Sequence, residues 1–201
     1  MRDDFSYNAA LGIPRDMEGV YLHTVEPRNE DQRRLKGLLE GLKEREYRTL
    51  LLLGDTGLGK TYMAQALANT VIHNANNPEW AAFYTTHFEL DLRLKNTMDA
   101  GYKGVGELEL INRYKSYGLL IIDELGRGAV SDYAMTRIEH IVCERIAKGR
   151  RTILISNKTP DELRGIFDRQ MQDRLGILKG GVVNSSARCF VMSGPSLRGR
   201  T

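Results

Sequence analysis

The sequence predicts an α/β domain built on a mostly parallel sheet. Short continuous apolar runs recur at Thr49–Leu53, 81–85, 119–122, 152–156 and 189–192, and the intervals between the earlier ones carry helical periodicity. Strands that alternate with helices need crossover connections, which leave the strands parallel. A length of 201 residues suits one domain with a sizeable core and argues against two.

Residues 1–19, with Gly12, Pro14 and Gly19, form an expected short irregular leader, and 20–201 the domain proper. From 31 to 46 the apolar positions Leu35, Leu38, Leu39 and Leu42 recur among charges, which predicts an amphipathic helix with one buried stripe. The run Thr49–Leu53 ends at Gly54 and has the unbroken apolar character of a strand buried on both faces. Between 131 and 148, Met135, Ile138, Ile141, Val142 and Ile146 share a helical face, with Gly149 placed as the C-terminal cap. Thr159-Pro160-Asp161-Glu162 spells a helix start: an N-cap threonine, a proline in the first helical position and a glutamate that completes a capping box.

The octapeptide Gly54-Asp55-Thr56-Gly57-Leu58-Gly59-Lys60-Thr61 follows an apolar strand and opens a helical stretch. That is the setting in which GxxxxGK[ST] forms a phosphate-binding loop. Its glycines let successive N–H groups turn toward phosphate oxygens, and the helix adds its positive end. Lys60 is expected to reach the β and γ phosphates and the Thr61 hydroxyl to ligate Mg²⁺. In Leu119-Leu120-Ile121-Ile122-Asp123-Glu124 two acids end a strand at the carboxyl edge of the sheet, where ligands bind in open α/β folds. Asp123 is placed to hold Mg²⁺ through water, and Glu124 to orient or deprotonate the attacking water. Asn157 follows the strand at 152–156 at the same edge, where its amide can meet the γ phosphate or the lytic water; a plain turn asparagine fits there as well.

Together GDTGLGKT, LLIIDELG, ILISN and MQDRL resemble the AAA+ ATPases of the DnaC/IstB type, bacterial and phage helicase loaders and transposition helpers, over roughly residues 20–201. The resemblance implies a three-layer P-loop fold with a five-stranded parallel sheet, ATP and Mg²⁺, and a ring or spiral in which neighbours complete each site. It makes Asn157 the first sensor, Arg174 the arginine finger that reaches the next subunit, and Arg198, in Ser196-Leu197-Arg198, the second sensor. It also implies a replicative helicase and single-stranded DNA as partners. Members usually carry a longer N-terminal extension than the 19 residues expected here.

Between 87 and 115, Arg93, Lys95 and Lys103, with Arg113 and Lys115, are candidate DNA contacts, although Glu89, Asp91, Asp99, Glu107 and Glu109 nearly balance them. A formal net charge of +3 does not argue for nucleic acid by itself. No apolar run is long enough for a membrane helix and the N-terminus does not resemble a signal peptide, so the expected location is cytoplasmic. Cys143 and Cys189 match no metal-ligand spacing and are expected to be buried small hydrophobes. The leading function is thus a helicase-loading ATPase in DNA replication, with an IstB-like transposition helper as the alternative. A small-molecule P-loop kinase or a nonhydrolysing scaffold has less use for Glu124, Asn157 and Arg174 together.

Overall fold

A computed structural model describes residues 11–44, 46–99, 101, 103–128, 131–178 and 186–194. Helix α1 (Glu30–Lys43) leads into strand β1 (Thr49–Leu53), followed by α2 (Lys60–His73) and β2 (Ala82–Thr86). Then come α3 (His87–Asn96), α4 (Glu107–Ser116), β3 (Leu119–Asp123), α5 (Asp132–Ala147) and β4 (Arg151–Ser156). Two short helices, α6 (Pro160–Arg164) and α7 (Arg169–Arg174), precede β5 (Ala187–Val191). The five strands form one sheet in the order β2-β3-β4-β1-β5, with every pairing parallel. Every residue of β1 and β3 is buried, as are all of β4 but Arg151, so the centre of the sheet is covered on both faces. This is the α/β architecture expected from the alternation of runs.

The registers decide where chemistry can gather. Leu53 pairs with Ser156 on one side and Val191 on the other, and Thr86 pairs with Asp123. The carboxyl ends of the strands are therefore level, and the residues that follow them emerge along one edge.

Local capping matches the sequence at several points. Thr159 and Glu162 form the expected reciprocal capping box, and Ser131 caps α5 by accepting the Ala134 N–H. Gly149, at φ +61, turns the chain after α5 while the Arg150 N–H reaches Arg145 O at 2.8 Å. Helix α1 differs at its ends. It is capped by Asn29 and stops at Lys43, because the chain folds back so that the Tyr47 hydroxyl donates to Leu38 O. Leu38 is consequently only half-buried while Leu35, Leu39 and Leu42 lie in the core.

The described part of the leader is packed against the domain: Leu11, Ile13 and Met17 are all under 5% exposed within the core cluster. Its anchor is polar, since Asn69 Nδ2 on α2 donates to Met17 O at 2.6 Å and Thr70 Oγ1 accepts the Leu22 N–H at 2.8 Å. Cys143 and Cys189 pack against the core but are only half-buried. Burial still raises both thiols, Cys189 to about 11, which keeps them unreactive near neutral pH. Among the described residues no helix is long and apolar enough to cross a membrane.

Candidate active site

Gly54 leaves β1 at φ +130, with Met192 O only 2.4 Å from where a Cβ would stand, so no side chain fits between this loop and the end of β5. The loop closes at Gly59, which caps α2 in the left-handed conformation at φ +91. Lys60 therefore begins the helix and points back under the loop. Lys60 is 4% exposed, and its ammonium donates to Gly54 O and Asp55 O, both at 2.7 Å, and to Asn157 Oδ1 at 3.1 Å. Burial lowers its pKa, opposed by the Asp123 and Asp55 carboxylates. With Oδ1 committed to Lys60, the Asn157 amide nitrogen is left to donate elsewhere.

Asp123 ends β3 beside this lysine and is 4% exposed. Its Oδ2 accepts from Thr61 Oγ1 at 2.6 Å, and its Oδ1 accepts the Glu124 N–H at 2.6 Å. Glu124 can turn its amide back in this way because it adopts φ +55, the one described non-glycine residue with positive φ. The Glu124 carboxylate pairs with Arg127, and both groups reach solvent, so the pair is weak enough to exchange for water. Thr61 and Asp123 together present the hydroxyl and carboxylate that suit a hard, oxygen-seeking cation such as Mg²⁺.

The segment after Asp123 is stitched to neighbouring strands. The Leu125 N–H donates to Ile155 O at 2.8 Å, Ser156 Oγ donates to Leu125 O at 2.6 Å, and the Gly126 N–H donates to His87 Nδ1 at 3.1 Å. His87 is 4% exposed, and burial lowers its pKa although Asp91 opposes the shift. An imidazole nitrogen that accepts carries no proton, so both hydrogen bonding and burial keep His87 neutral.

Lys60, Thr61, Asp123, Glu124 and Asn157 line a cleft of about 880 Å³. One wall is the phosphate loop from Thr56 to Met63 with Asp123, Glu124 and Asn157; the other is Asp16, Met17 and residues 24–28. Gln32 joins the two walls. Its Oε1 accepts the Arg28 N–H at 2.8 Å and its Nε2 donates to Leu58 O at 3.0 Å.

Lys60, Thr61, Asp123, Glu124 and Asn157 are thus brought together on one cleft. Arg174, at the end of α7, does not line the cleft of its own chain; its Nη1 donates to Cys143 O at 3.3 Å. Arg198 lies outside the described residues. The candidate DNA contacts are dispersed into local pairings. Arg93 stacks over Phe83 at 5.4 Å, Lys95 pairs with Asp91 at 2.6 Å, and Arg113 pairs with Glu109 at 2.7 Å. Lys103 is exposed. Sequence reasoning missed Gln32, Tyr84, His87 and the leader wall. His87 had one available signal, a histidine directly after a strand at the ligand-binding edge.

Residues 37–183 match the family of the bacterial DnaA ATPase domain. The chromosomal replication initiator protein DnaA of Mycoplasma pneumoniae is 27% identical over 154 residues, which cover 75% of this chain and 34% of that protein. The chain spans about a third of the length of the curated relatives it matches. A solved structure of the replication initiator DnaA bound to AMPPCP and single-stranded DNA has a TM-score of 0.70 at 19% identity, over 89% of this chain and 51% of that one. The crystal structure of the DnaC helicase loader has a TM-score of 0.65 at 20% identity, over 90% of this chain and 100% of that one. The fold is therefore that of AAA+ P-loop ATPases, in keeping with the resemblance carried by the sequence motifs.

Proposed function

The chain belongs to the family of the bacterial DnaA ATPase domain, and from that premise we propose that it binds ATP with Mg²⁺ and hydrolyses it in the service of DNA replication, as a helicase loader. The observation that carries this reading is the convergence of Lys60, Thr61, Asp123, Glu124 and Asn157 on one cleft. The loop and the α2 N-terminus would receive the phosphates, and Met17 and Val25 on the facing wall would receive the base. Lys60 exchanges Gly54 O and Asp55 O for phosphate oxygens, which are stronger acceptors for an ammonium. Thr61 and Asp123 would hold the metal, which would supply charge neutralisation to the phosphates. Glu124 exchanges Arg127 for the attacking water and takes its proton. Asn157 donates its free amide N–H to the γ phosphate or that water.

Arg174 acts in a neighbouring subunit's site, which accounts for its distance from its own cleft and fits assembly into a ring or spiral. Single-stranded DNA and a replicative helicase are the partners most consistent with these replication relatives, one of which is a helicase loader and another bound to single-stranded DNA. Of the basic candidates, Lys103 has its charge presented to solvent, whereas Lys95 is already paired.

The decisive experiment mixes two variants. Arg174→Ala should bind ATP normally yet hydrolyse it about 10³-fold or more slowly. Lys60→Ala should neither bind nor hydrolyse, but it keeps Arg174. Turnover restored on mixing supports a shared site. Wild-type turnover by Arg174→Ala alone, with DNA present, sinks the finger, and undiminished binding of fluorescent ATP by Lys60→Ala sinks the nucleotide reading itself.

A further inference from the structure

One buried hydroxyl at the site has no part in the chemistry above. Tyr84 is the third residue of β2, in register with Ile121 of β3, and is 9% exposed. Its hydroxyl lies 3.0 Å from Asp123 Oδ2, the oxygen that also accepts from Thr61. An ionised carboxylate only accepts, so Tyr84 donates. Burial, and then the Asp123 charge, push the phenol pKa far above its ordinary value, so this donor keeps its proton throughout the physiological range. The backbone that carries the ring is held as well: the Tyr84 N–H donates to Leu11 O at 3.0 Å, and a Cβ on Gly12 would stand 1.9 Å from Tyr84 O.

A carboxylate offers about four lone-pair positions. At Asp123 three are filled, by Thr61 and Tyr84 on Oδ2 and by the Glu124 N–H on Oδ1. The plane of the group is therefore set, and one acceptor position remains, on Oδ1. We propose that Tyr84 is a positioning residue for the metal: its hydroxyl locks the Asp123 carboxylate so that a hydrated divalent cation beside Thr61 meets a preformed acceptor for one of its waters. The proposal rests on the nucleotide reading of the cleft and adds a residue on β2 that contacts neither phosphate nor metal. Partners of this kind behind metal-binding groups typically contribute about 10- to 100-fold to metal affinity.

Tyr84→Phe removes one oxygen and keeps the ring. Protein loaded with the β,γ-methylene analogue of ATP is titrated with Mn²⁺, and free Mn²⁺ is followed by electron paramagnetic resonance. The expected result is a Mn²⁺ Kd raised about tenfold, with affinity for the analogue in EDTA unchanged. The Mg²⁺ concentration for half-maximal hydrolysis should rise in parallel, with the rate at saturating Mg²⁺ within about twofold of wild type. Thr85→Ala, which deletes the next hydroxyl along β2 but not one that touches Asp123, should leave the Mn²⁺ Kd alone. An unchanged Mn²⁺ Kd in Tyr84→Phe overturns the proposal, as does an equal rise in Thr85→Ala, or a joint loss of metal and metal-free analogue binding with a lower Tm, which marks general loosening. Failure of wild-type protein to bind the analogue at all is a separate result, and it overturns the nucleotide reading together with this one.

Discussion

Two buried cations sit at opposite ends of the same sheet. Lys60, at the carboxyl ends of the strands, is 4% exposed; Arg145, toward the amino ends of β3 and β4, is fully buried. Both are held chiefly by neutral oxygens. Arg145 uses its whole fork: Nε donates to Thr152 Oγ1 at 3.0 Å, Nη1 to Tyr114 O and Tyr117 O at 2.8 Å and to Lys115 O at 3.3 Å, and Nη2 to Arg151 O. Burial and the neighbouring Arg150 and Arg151 lower its pKa to about 9, which still leaves it charged at neutral pH. Those carbonyls end α4 and begin β4, so the guanidinium staples the entry to two strands. Lys60 instead faces a cleft, and a phosphate can replace its carbonyl partners. The same physical problem, an ammonium or guanidinium out of water, is solved rigidly at the closed end and provisionally at the open one.

The contrast fails unless the two cations respond oppositely to removal. Lys60→Ala should abolish ATP binding while melting within a few degrees of wild type. Arg145→Ala should retain whatever nucleotide binding its folded fraction supports but lose about 3–5 kcal/mol, since four carbonyls and the Thr152 hydroxyl lose their donor and a cavity opens. At this chain length that lowers Tm by roughly 10 °C. Calorimetry with and without ATP checks both, and a Lys60→Ala protein that melts as low as Arg145→Ala would erase the distinction.

Within the open end, Glu124→Gln should separate binding from chemistry. Turnover is expected to drop by about 10²–10⁴ with ATP affinity retained; unchanged turnover in a phosphate-release assay removes its catalytic part. A smaller effect belongs to Gln32→Leu, which unties Arg28 N–H from Leu58 O and leaves the phosphate loop less preorganised. Affinity for ATP should fall roughly 3- to 10-fold, about 1 kcal/mol, by fluorescence titration. The smallest effect is a pH dependence at His87. Its folded pKa is depressed by burial, so on acidification the unfolded chain takes up this proton first. Stability from His87 is present above the unfolded value near 6.5 and is lost as pH falls from there toward the lower folded value. His87→Asn keeps an acceptor for Gly126 without a proton to gain, and urea melts at pH 7 and pH 5 should show a shallower acid loss than wild type.

The open end was also the more legible one. GDTGLGKT and the acids after LLII announce themselves because phosphate and metal chemistry demand particular residues at fixed spacing. Thr49–Leu53 was equally plain, since a strand buried on both faces has to be apolar throughout. Tyr84, Gln32 and His87 left no such trace. Each acts through a long-range hydrogen bond set by tertiary packing, and local sequence carries no record of which elements become neighbours. Arg145 resembles any other charge on an amphipathic helix until the carbonyls of Tyr114 and Tyr117 are placed around it. The packing of the leader left no trace for a related reason: glycine and proline mark irregular backbone, and irregular backbone can still be packed.

Asn69 and Thr70 place polar groups on a largely buried helix, where they hold the Met17 and Val20 carbonyls and the Leu22 amide. Any shortened version of this protein beginning at residue 20 would therefore lose more than a tail. It would strip Leu11, Ile13 and Met17 from the core, at about 1.5–3 kcal/mol for each side chain, and leave the Asn69 amide inside α2 with Val20 O but without Met17 O. Set against a total stability on the order of 5–15 kcal/mol for a domain, that is enough to turn a trimmed expression clone into an aggregating one.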